Sequence, residues 1–458
     1  MRLTCLAYFT ATLLLGLASC PAQQRDAGWP DPRPLGREFK TYAPPARPPV
    51  STASQEVKEP TGVITLRDAL ALALMQSPEL AAFSWEVRAG EARTLQAKLP
   101  PNPELGVSVE NFGNTALEGT DGVTTTVQLS QLVLLGGKLR KRTRVAALER
   151  DLAGWDYEAK RLDVLTDVTK AFVEVVASQE RLAVTEELVR LAEQVHAMTG
   201  ERVKAGKVSP VEETKAKVTL STTRIERERA QRALDGARKR LATTWGGSAP
   251  TFSRAEGRIF EIAPIPSARE LADAISQNPD IARWATEMEQ RRATVKLEDA
   301  KAVPDVTVNA GVRQFNQADD TAAILGVSIP LPVFDRNQGG RQEARDKLAK
   351  AEHERKAATL RVLTTLAEAY QALSSAFVEA TSLKNEVLPG AQSAFEAENE
   401  GFRLGKFGYL DVLDAQRTFF EARSKYIESL ASYHKAVADV ERLIGDRLES
   451  VMRKPEQK

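Results

Sequence analysis

A unit of about 200 residues occurs twice in the sequence, and this duplication constrains the fold more than any other feature. The stretch LRDALALALMQSPELAA, from Leu66, corresponds to ARELADAISQNPDIAR, from Ala268. Four further pairs follow in the same order: NPELGVSV from Asn102 with VPDVTVNA from Val303, Gly136-Gly137 with Gly339-Gly340, Lys204–Lys207 with Arg403–Lys406, and Trp245-Gly246 with Ile444-Gly445. Because five ordered landmarks do not coincide by chance, both copies should adopt one fold.

Each copy begins with a helical period, at about 66–98 and 268–301, and then changes to residue-by-residue alternation. The alternating apolar residues predict two strands per copy: Leu105, Val107 and Val109, then Val127 and Leu129, and in the second copy Val306, Val308, Ala310 and Val312, then Leu325, Val327 and Ile329. Runs of about 9 to 11 residues match a tilted strand that crosses a bilayer. Periodicity alone also allows a hairpin in water.

Long helical segments follow the strands, at about 139–203 and 208–244 in the first copy and at 341–403 and 408–443 in the second. Trp155 to Val203 alone would be about 73 Å long at 1.5 Å per residue. Pro389-Gly390 predicts a kink. Charged, heptad-like sequence of this kind is typical of a coiled-coil wall, on which a single charged residue usually lies on a solvated face.

The first 20 residues have the pattern of an export signal, because Arg2 precedes an apolar stretch that ends in Leu17-Ala18-Ser19-Cys20. These four residues also fit a bacterial lipobox. They predict lipidation of Cys20, with ordinary signal cleavage as the alternative. Since Cys5 leaves with the signal, the mature chain has at most one cysteine and no disulfide framework.

The chain is predicted to contain five segments after the signal peptide (1–20). A proline-rich extended arm precedes the first repeat, a linker joins the two repeats, and a short tail ends the chain. Their predicted bounds are 21–62 for the arm, 63–247 for the first repeat, 248–266 for the linker, 267–446 for the second repeat and 447–458 for the tail.

Composition and motifs argue against two function classes. With 63 basic and 62 acidic residues, the chain has no basic excess that would indicate a nucleic-acid partner. An enzyme is poorly supported, because His196, His353 and His434 lack ligand spacing and GxSxG, phosphate-loop and CxxC motifs are missing from the sequence. Each histidine is better explained as a surface or packing residue, and we predict no cofactor and no metal site.

Four strands in one chain cannot close into a barrel. An open sheet leaves two unpaired edges, and each unsatisfied backbone group costs several kcal/mol in lipid. No apolar run of about 18 residues follows the signal, so a membrane crossing would require a closed barrel. Two chains give eight strands, whose interior side chains fill, whereas three give twelve and leave a lumen. A conducting assembly should therefore be a trimer.

Three stretches carry a resemblance to a known family: LDVLDA (Leu410–Ala415), SIPLPVFDRNQGG (Ser328–Gly340) and LVLLGGKLRKR (Leu132–Arg142). Together with the duplicated helix-strand-strand-helix unit, they make the chain resemble the TolC-like outer-membrane factor family from about Thr61 to Gly445. Within that family, the chain is similar to the CzcC-type branch, which serves cobalt, zinc and cadmium efflux pumps.

The resemblance implies a mostly α protein with a β-barrel part. Three copies would form a 12-stranded barrel in the outer membrane lipid of a Gram-negative bacterium, continued by a long periplasmic coiled-coil tunnel. It also implies two protein partners, a periplasmic adaptor (membrane fusion) protein and an inner-membrane resistance-nodulation-division pump.

Asp411 and Asp414 lie three residues apart after a glycine turn. Their residue types predict negative charge in the first turn of a helix, which offsets the positive end of the macrodipole. The resemblance implies a second, compatible role: a ring of carboxylates from three chains at the narrow periplasmic aperture, where it favours cations. In the first repeat Glu212 aligns with Asp411 and Lys215 with Asp414, so only one acidic position is repeated.

Two phenylalanines near this aperture depart from the family pattern. Phe402 stands where the resemblance implies a tyrosine, and Phe407 where it implies a gating arginine. The residue types that the resemblance implies for polar contacts at the mouth are therefore replaced by phenylalanine at both positions. We predict that apolar contacts of Phe402 and Phe407 replace them.

The two helix-to-helix turns are Ala205-Gly206-Lys207 and Leu404-Gly405-Lys406, and the resemblance implies that they dock the adaptor. Glycine is expected in each turn because a reversal between long helices needs a left-handed residue and close backbone approach.

The strand-to-helix junctions contain further glycines and prolines. Pro330 and Pro332 should end the last strand, because proline lacks the N–H donor that continuation needs. Asp335 or Asn337 can cap the next helix. The pairs Gly136-Gly137 and Gly339-Gly340 are expected to permit the sharp change of direction.

The sequence thus predicts a passive outer-membrane channel of a tripartite efflux system, not an enzyme, with heavy-metal cations as the expected solute. One alternative is a channel for drugs or other organic solutes. A second, from another class, is a periplasmic coiled-coil structural protein or adaptor lipoprotein, which would explain the long helices but not four alternating strands at matched places.

Overall fold

The computed structural model describes Glu59 and residues 61–111, 123–316 and 319–453. The predicted signal peptide 1–20, its lipidation site Cys20, most of the arm 21–62 and the last residues of the tail 447–458 lie outside the described residues.

Ten α-helices occur in the described residues: α1 (Leu66–Gln76), α2 (Pro78–Lys98), α3 (Lys138–Lys204), α4 (Pro210–Thr243), α5 (Ala268–Ala274), α6 (Pro279–Lys301), α7 (Gln338–Ser382), α8 (Leu388–Arg403), α9 (Tyr409–Ile444) and α10 (Leu448–Arg453). A 3-10 turn (Ile275–Gln277) precedes α6, and a π turn (Leu383–Val387) joins α7 to α8. Among the described residues, none of the helices is both long and apolar enough to cross a membrane.

Six strands are described: β1 (Val63–Thr65), β2 (Glu104–Glu110), β3 (Thr124–Val133), β4 (Arg254–Glu256), β5 (Val306–Phe315) and β6 (Asp320–Ser328). β2, β3, β5 and β6 form an antiparallel sheet in that order. Val127 of β3 pairs with Val107 on one side and with Val312 on the other, so the alternating residues of both repeats share one register. This confirms the four predicted strands.

A second, two-stranded sheet was not predicted from the sequence. β1 pairs in parallel with β4, which brings the start of the first repeat against the linker between the repeats. Glu59 extends this contact, because its carboxylate accepts from the Trp245 indole and from the Thr251 N–H. Three-residue strands are too short for a period of two to be recognised.

α3 is the central helix, with 67 residues and a length of about 100 Å at 1.5 Å per residue. Toward the sheet, the helices lie side by side in the order α2, α3, α6, α7, and toward the two helical turns they lie in the order α4, α3, α9, α8. Each repeat therefore supplies one lateral edge of the molecule. α4 and α8 are the outermost helices in the part distant from the sheet.

The predicted helices 66–98 and 268–301 are each interrupted before a proline. Ser77 caps α2, with the Leu80 N–H donating to its Oγ at 3.4 Å, and Asn278 caps α6, with the Asp280 N–H donating to its Oδ1 at 2.7 Å. Proline in the first helical turn has no N–H to lose, so the break becomes a helix start.

The predicted kink at Pro389 takes the form of the π turn immediately before it. The Leu388 N–H donates to the Leu383 carbonyl, five residues earlier, and the helix continues directly into α8. Because Pro389 lacks an N–H, the usual bond to residue 385 cannot form, and the wider turn accommodates this loss.

Candidate aperture, helical turns and junctions

Both helix-to-helix turns use one backbone arrangement. In the first turn, the N–H groups of Ala205, Gly206 and Lys207 donate to the carbonyls of Glu201, Val203 and Arg202 at 3.0, 2.9 and 2.9 Å. In the second turn, Leu404, Gly405 and Lys406 donate to Glu400, Phe402 and Gly401 at 3.0, 3.0 and 2.8 Å. Each set is a Schellman motif, which satisfies the last carbonyls of the preceding helix.

The glycines of these turns are left-handed, as predicted, with φ of 71° at Gly206 and 77° at Gly405. The expected close backbone approach is not found. Among the described residues, a Cβ added to Gly206 would have no neighbour within 4 Å, and one added to Gly405 would meet only the Arg202 guanidinium, at 3.5 Å. Backbone conformation, and not crowding, therefore requires glycine here.

Arg202 links the two turns, a contact that sequence reasoning missed. Its guanidinium lies 4.6 Å from the ring centroid of Phe402, and its Nη2 donates to the Phe402 carbonyl at 3.4 Å. A groove of about 420 Å³ opens beside this contact and is lined by Ala197, Met198, Glu201, Arg202, Phe402 and Arg403. The two residues are 200 positions apart in the chain, so periodicity could not pair them.

Asp411 and Asp414 both lie exposed on the first two turns of α9. Asp411 has the predicted helix-start role, because its Oδ2 accepts from the Gly408 N–H at 2.9 Å. The prediction that Asp414 also lies in the first turn is wrong, because α9 begins at Tyr409 and Asp414 is in the second turn, where it makes no hydrogen bond or ion pair with any described residue. The opposite face of the same turns is buried through Tyr409 and Val412. The buried face therefore fixes the direction in which both carboxylates project.

Phe402 and Phe407 have different environments. Phe402 is 2% exposed and packs within this chain against Val195, Ala216, Tyr409 and Val412. Phe407 is 46% exposed, and its ring covers Gly401 so closely that a Cβ there would lie 2.1 Å from Cδ2. Of the two rings, Phe407 is the one with a free face.

The first strand-to-helix junction agrees with its predicted role. Gly136 and Gly137 have φ of 66° and 69°, and α3 begins directly after them. Lys138 then reaches back to the second repeat, where its Nζ lies 2.7 Å from the Asp305 carboxylate and donates to the Val303 carbonyl at 2.6 Å. The change of direction is thus fixed by two left-handed glycines and one partly buried ion pair.

The second junction differs from its prediction. β6 ends at Ser328, before Pro330 and Pro332, as expected. Gly339 and Gly340, however, lie inside the first turn of α7, and the left-handed residue is Asn337, with φ of 54°. Glycine at position 340 instead leaves room for the Asn337 side chain, because a Cβ there would lie 2.5 Å from the Asn337 Oδ1.

Asn337 occupies the cap position of α7 without capping it through its side chain. Its Nδ2 donates to the carbonyl and to the Oε2 of Glu298, at 2.9 and 2.8 Å. Asp335 accepts from the Asn337 N–H at 2.8 Å instead of from the helix. The predicted capping by either residue is therefore wrong. The side chain of Asn337 ties the junction to α6.

Charged contacts join the two repeats along α3 and α9. Glu174 of α3 pairs with Arg181 and with Lys435 of α9. Burial raises the pKa of the Glu174 carboxyl, but hydrogen bonds from Lys435 and Arg181 lower it more, so the net pKa lies below its ordinary value. Arg442 of α9 similarly pairs with Asp163 and Asp280. Sequence reasoning treated such charges as solvated and could not pair them.

No cluster of three or more His, Cys, Asp or Glu side chains that could hold a metal ion is found in the described ranges.

Comparisons with known proteins place this geometry in a family. The family profile described as "Outer membrane efflux protein" matches residues 69–247 and 271–446. The cobalt-zinc-cadmium resistance protein CzcC of Cupriavidus metallidurans is 36% identical over 388 residues, which cover 85% of this chain and 91% of that protein. The nickel and cobalt resistance protein CnrC of the same organism is 27% identical over 63% of this chain and 67% of that protein.

Solved structures show the same fold. CusC has a TM-score of 0.68 at 16% identity, covering 83% of this chain and 92% of that chain. The CmeC outer membrane channel of Campylobacter jejuni has a TM-score of 0.69 at 17% identity, covering 83% and 85%. The two matched segments of the family profile coincide with the two structural repeats, and the chain belongs to the family of outer membrane efflux proteins.

Proposed function

We propose that three copies of this chain form one continuous duct, which passively conducts heavy-metal cations to the exterior from an inner-membrane pump and a periplasmic adaptor. The observation that carries the trimer is the four-stranded sheet, in which β2 and β6 are the outer strands. In lipid their free edges must be paired, and twelve strands from three copies close into a barrel with a lumen.

The same proposal places the sheet in the outer membrane and the helices in the periplasm. α3 is about 100 Å long, whereas the hydrocarbon core of a bilayer is about 30 Å thick, so most of the helical part must lie outside the membrane. Lipidation of Cys20 would anchor the arm to the same membrane.

The aperture proposal rests on Asp411 and Asp414. Both project from the α9 face opposite the buried Tyr409 and Val412, so three copies around one axis would present six carboxylates. Two charges 10 Å apart in bulk water interact by only about 0.4 kcal/mol, so this ring selects cations only in a narrow neck.

The solute class is proposed from the relatives. Of two similar proteins, CzcC is named for resistance to cobalt, zinc and cadmium, and CnrC for resistance to nickel and cobalt. The acidic aperture agrees with a cationic solute, and selection among metals would then lie with the pump.

Purified protein in planar bilayers tests the duct and its aperture. Wild-type trimers should form cation-selective channels, and Asp411→Asn/Asp414→Asn should shift the reversal potential toward zero under a salt gradient. Asp273→Asn, an exposed carboxylate on α5, is the control and should change nothing. A monomeric protein without channel activity would overturn the duct, and unchanged selectivity in the double variant would overturn the ring.

Phe407 is proposed as an apolar part of the closed aperture, because its ring has a free face. Phe407→Ala should raise the leak conductance of closed channels. Phe260, on the linker, is also 46% exposed, so Phe260→Ala is a matched control. A leak that is the same in all three proteins would remove this role.

Adaptor docking is proposed for the two exposed turns, Ala205-Gly206-Lys207 and Leu404-Gly405-Lys406. Replacing Gly206 and Gly405 together by valine should abolish metal efflux in cells, since valine resists the left-handed conformation. Trimers should still form. Efflux at the wild-type level would contradict docking at these turns, and loss of tolerance to organic compounds but not to metals would favour the other solute class.

A further inference from the structure

The two faces of the four-stranded sheet differ in polarity. On one face, Val107, Val127 and Val312 lie side by side in a cross-strand row, and no residue of β2, β3, β5 or β6 on this face is charged. Side chains alternate between the faces along a strand, so the register assigns every charged residue of these strands to the other face. They are Glu104, Glu110, Arg313 and Asp320. In a membrane barrel, the apolar face lies against lipid and the charged face lines the lumen.

Arg313 is the one basic residue of the sheet. In residues 104–133 and 306–328, which include the four strands and the segments that join them in pairs, six residues are acidic and Arg313 alone is basic. Ionisable side chains within membrane-spanning segments are costly and are usually retained for a function. Each copy therefore places a single guanidinium in an acidic environment, on the face that would line the lumen.

Arg313 lies near the end of the sheet that is distant from the helices. β2 and β5 follow α2 and α6, and β3 and β6 lead into α3 and α7, so all four helices join one end of the sheet. The pairs Glu110–Thr124 and Phe315–Asp320 form the other end. Arg313 is two residues before Phe315, which is about 7 Å along the strand. Since the proposed duct has its helices in the periplasm, this end is its outer mouth.

The Arg313 side chain is held by two neighbours on the charged face. Its Nε donates to the Thr126 Oγ1 at 3.0 Å, and its Nη2 lies 3.9 Å from the Glu110 Oε2. Thr126 is directly opposite Arg313 on β3, and Glu110 belongs to β2, one strand further. Thr126 is buried, whereas the side chains of Arg313 and Glu110 are 37% and 53% exposed. The guanidinium is thus kept beside the Glu110 carboxylate, and both groups are open to water.

This ion pair changes what the Glu110 carboxylate can bind. Carboxylate oxygens are ligands for zinc and other divalent metal ions. A cation that passes through a channel must bind weakly enough to leave, because tight binding stops conduction. A guanidinium beside the carboxylate neutralises its charge and repels a second cation from the same place.

We propose that Arg313 is a specificity-determining residue of the duct, which pairs with Glu110 and so prevents divalent metal cations from being retained at the outer mouth. Three copies would place three such pairs around the lumen. Asp411 and Asp414 would attract cations at the periplasmic aperture, and the Arg313–Glu110 pairs would let them leave at the other end. This role rests on the proposed trimeric duct.

Zinc block of the potassium current through full-length channels in planar bilayers tests this role. The Asp411→Asn/Asp414→Asn protein is the starting protein, so that the aperture carboxylates do not bind zinc, and zinc chloride is added to each side of the bilayer in turn. Adding Arg313→Gln should lower the half-blocking zinc concentration about tenfold, because no guanidinium then repels a divalent cation at Glu110. Adding Glu110→Gln as well should return this concentration to its starting value.

Three further variants in the same background sharpen the test. Arg313→Met, a second neutral exchange, should increase zinc block as Arg313→Gln does. Arg313→Lys keeps the positive charge and should leave the half-blocking concentration close to its starting value. Arg258 forms an exposed ion pair with Glu261 on the linker, at 3.4 Å, so Arg258→Gln is the matched control outside the sheet and should change nothing. Heat-resistant trimers on a gel confirm that each variant has assembled.

The outcomes distinguish this role from the duct itself. If the neutral variants of Arg313 block at the same zinc concentration as the starting protein, the role of Arg313 is wrong while the duct stands. The same conclusion follows if the increased block persists after Glu110→Gln, or if Arg313→Lys blocks as readily as Arg313→Gln. Wild-type protein that forms no channels would instead overturn the duct.

Discussion

The two helical turns of the molecule have one backbone and different surroundings. Their hydrogen bonds match position by position, yet Phe402 is buried beside the second turn while its counterpart Val203 is half-buried beside the first. Likewise Tyr409 is buried and its counterpart Pro210 is exposed. The two copies thus share the backbone of the turn, whereas the aromatic side chains buried between the hairpins, Phe402 and Tyr409, come from the second one.

The largest expected difference between the hairpins comes from Phe402→Ala. Removing a buried phenylalanine ring costs about 3 to 5 kcal/mol, whereas Val203→Ala should cost about 1 kcal/mol or less. Hydrogen exchange of the backbone amides around each turn measures the free energy of local opening. Equal losses in the two variants would show that the hairpins are fastened alike.

Alanine at Gly206 or at Gly405 tests what the hairpins share. Each substitution forces an L-residue into the left-handed region, so each should cost about 1 to 2 kcal/mol. Because neither position is crowded by backbone or by a rigid side chain in the part of the chain that the structure describes, the two costs should be equal. Thermal unfolding of both variants checks this, and a clearly larger loss at Gly405 would indicate crowding from the next copy.

Asp411 and Asp414 carry the same charge but should contribute differently to the free energy of unfolding. Asp411→Asn weakens the bond from the Gly408 N–H and should cost about 0.5 to 1 kcal/mol. Asp414→Asn loses no such bond, so its unfolding free energy should match that of wild type. Denaturant titration measures the unfolding free energy of each variant and so distinguishes the two expectations. A stability loss in Asp414→Asn would reveal a partner in the assembled trimer.

The smallest expected effect is the pH dependence of stability that comes from Glu174, which joins the two repeats. The net pKa of Glu174 is lowered in the folded state, so its ionised form stabilises the fold. That contribution is complete above the ordinary pKa of 4.5 and is lost as pH falls through the lowered folded value. The free energy of unfolding of wild type should exceed that of Glu174→Gln by about 1 kcal/mol at pH 7. This difference should vanish in acid, where the Glu174 carboxylate is protonated.

An exposed pair provides the control for this pH dependence. Arg417 and Glu421 form an ion pair on the surface of α9, and Glu421→Gln should leave stability unchanged at both pH values. A difference between wild type and Glu174→Gln that persists unchanged in acid would contradict the assigned role of the carboxylate.

The architecture could be predicted from the sequence because it is periodic. Alternation in β3 and β5 and heptads in α3 are local signals, repeated at matched places, and the predicted helix bounds differ from the observed ones by only a few residues. The short parallel pair of β1 and β4 could not be predicted, because three residues carry no period and their pairing spans almost 200 residues.

Fewer features of the candidate site than of the architecture could be predicted from the sequence. Glycine identity correctly located the left-handed turns at Gly206 and Gly405, since no other residue adopts that conformation freely. The same rule misassigned Gly339-Gly340, because Asn337 tolerates positive φ and took that position. The contact between Arg202 and Phe402 depends on how the two hairpins meet, which no local pattern encodes.

The π turn before Pro389 affects how α7 and α8, which lead to the second helical turn, can change in length. In an unbroken α-helix, inserting or deleting one residue rotates everything beyond it by about 100°, which would scramble the packing faces of α3. Between α7 and α8, five residues already form a widened turn that holds one residue more than an α-turn. A one-residue deletion there would convert the wide turn to an α-turn and leave both flanking faces in place, so we expect this part of the second hairpin to tolerate a one-residue deletion that α3 would not.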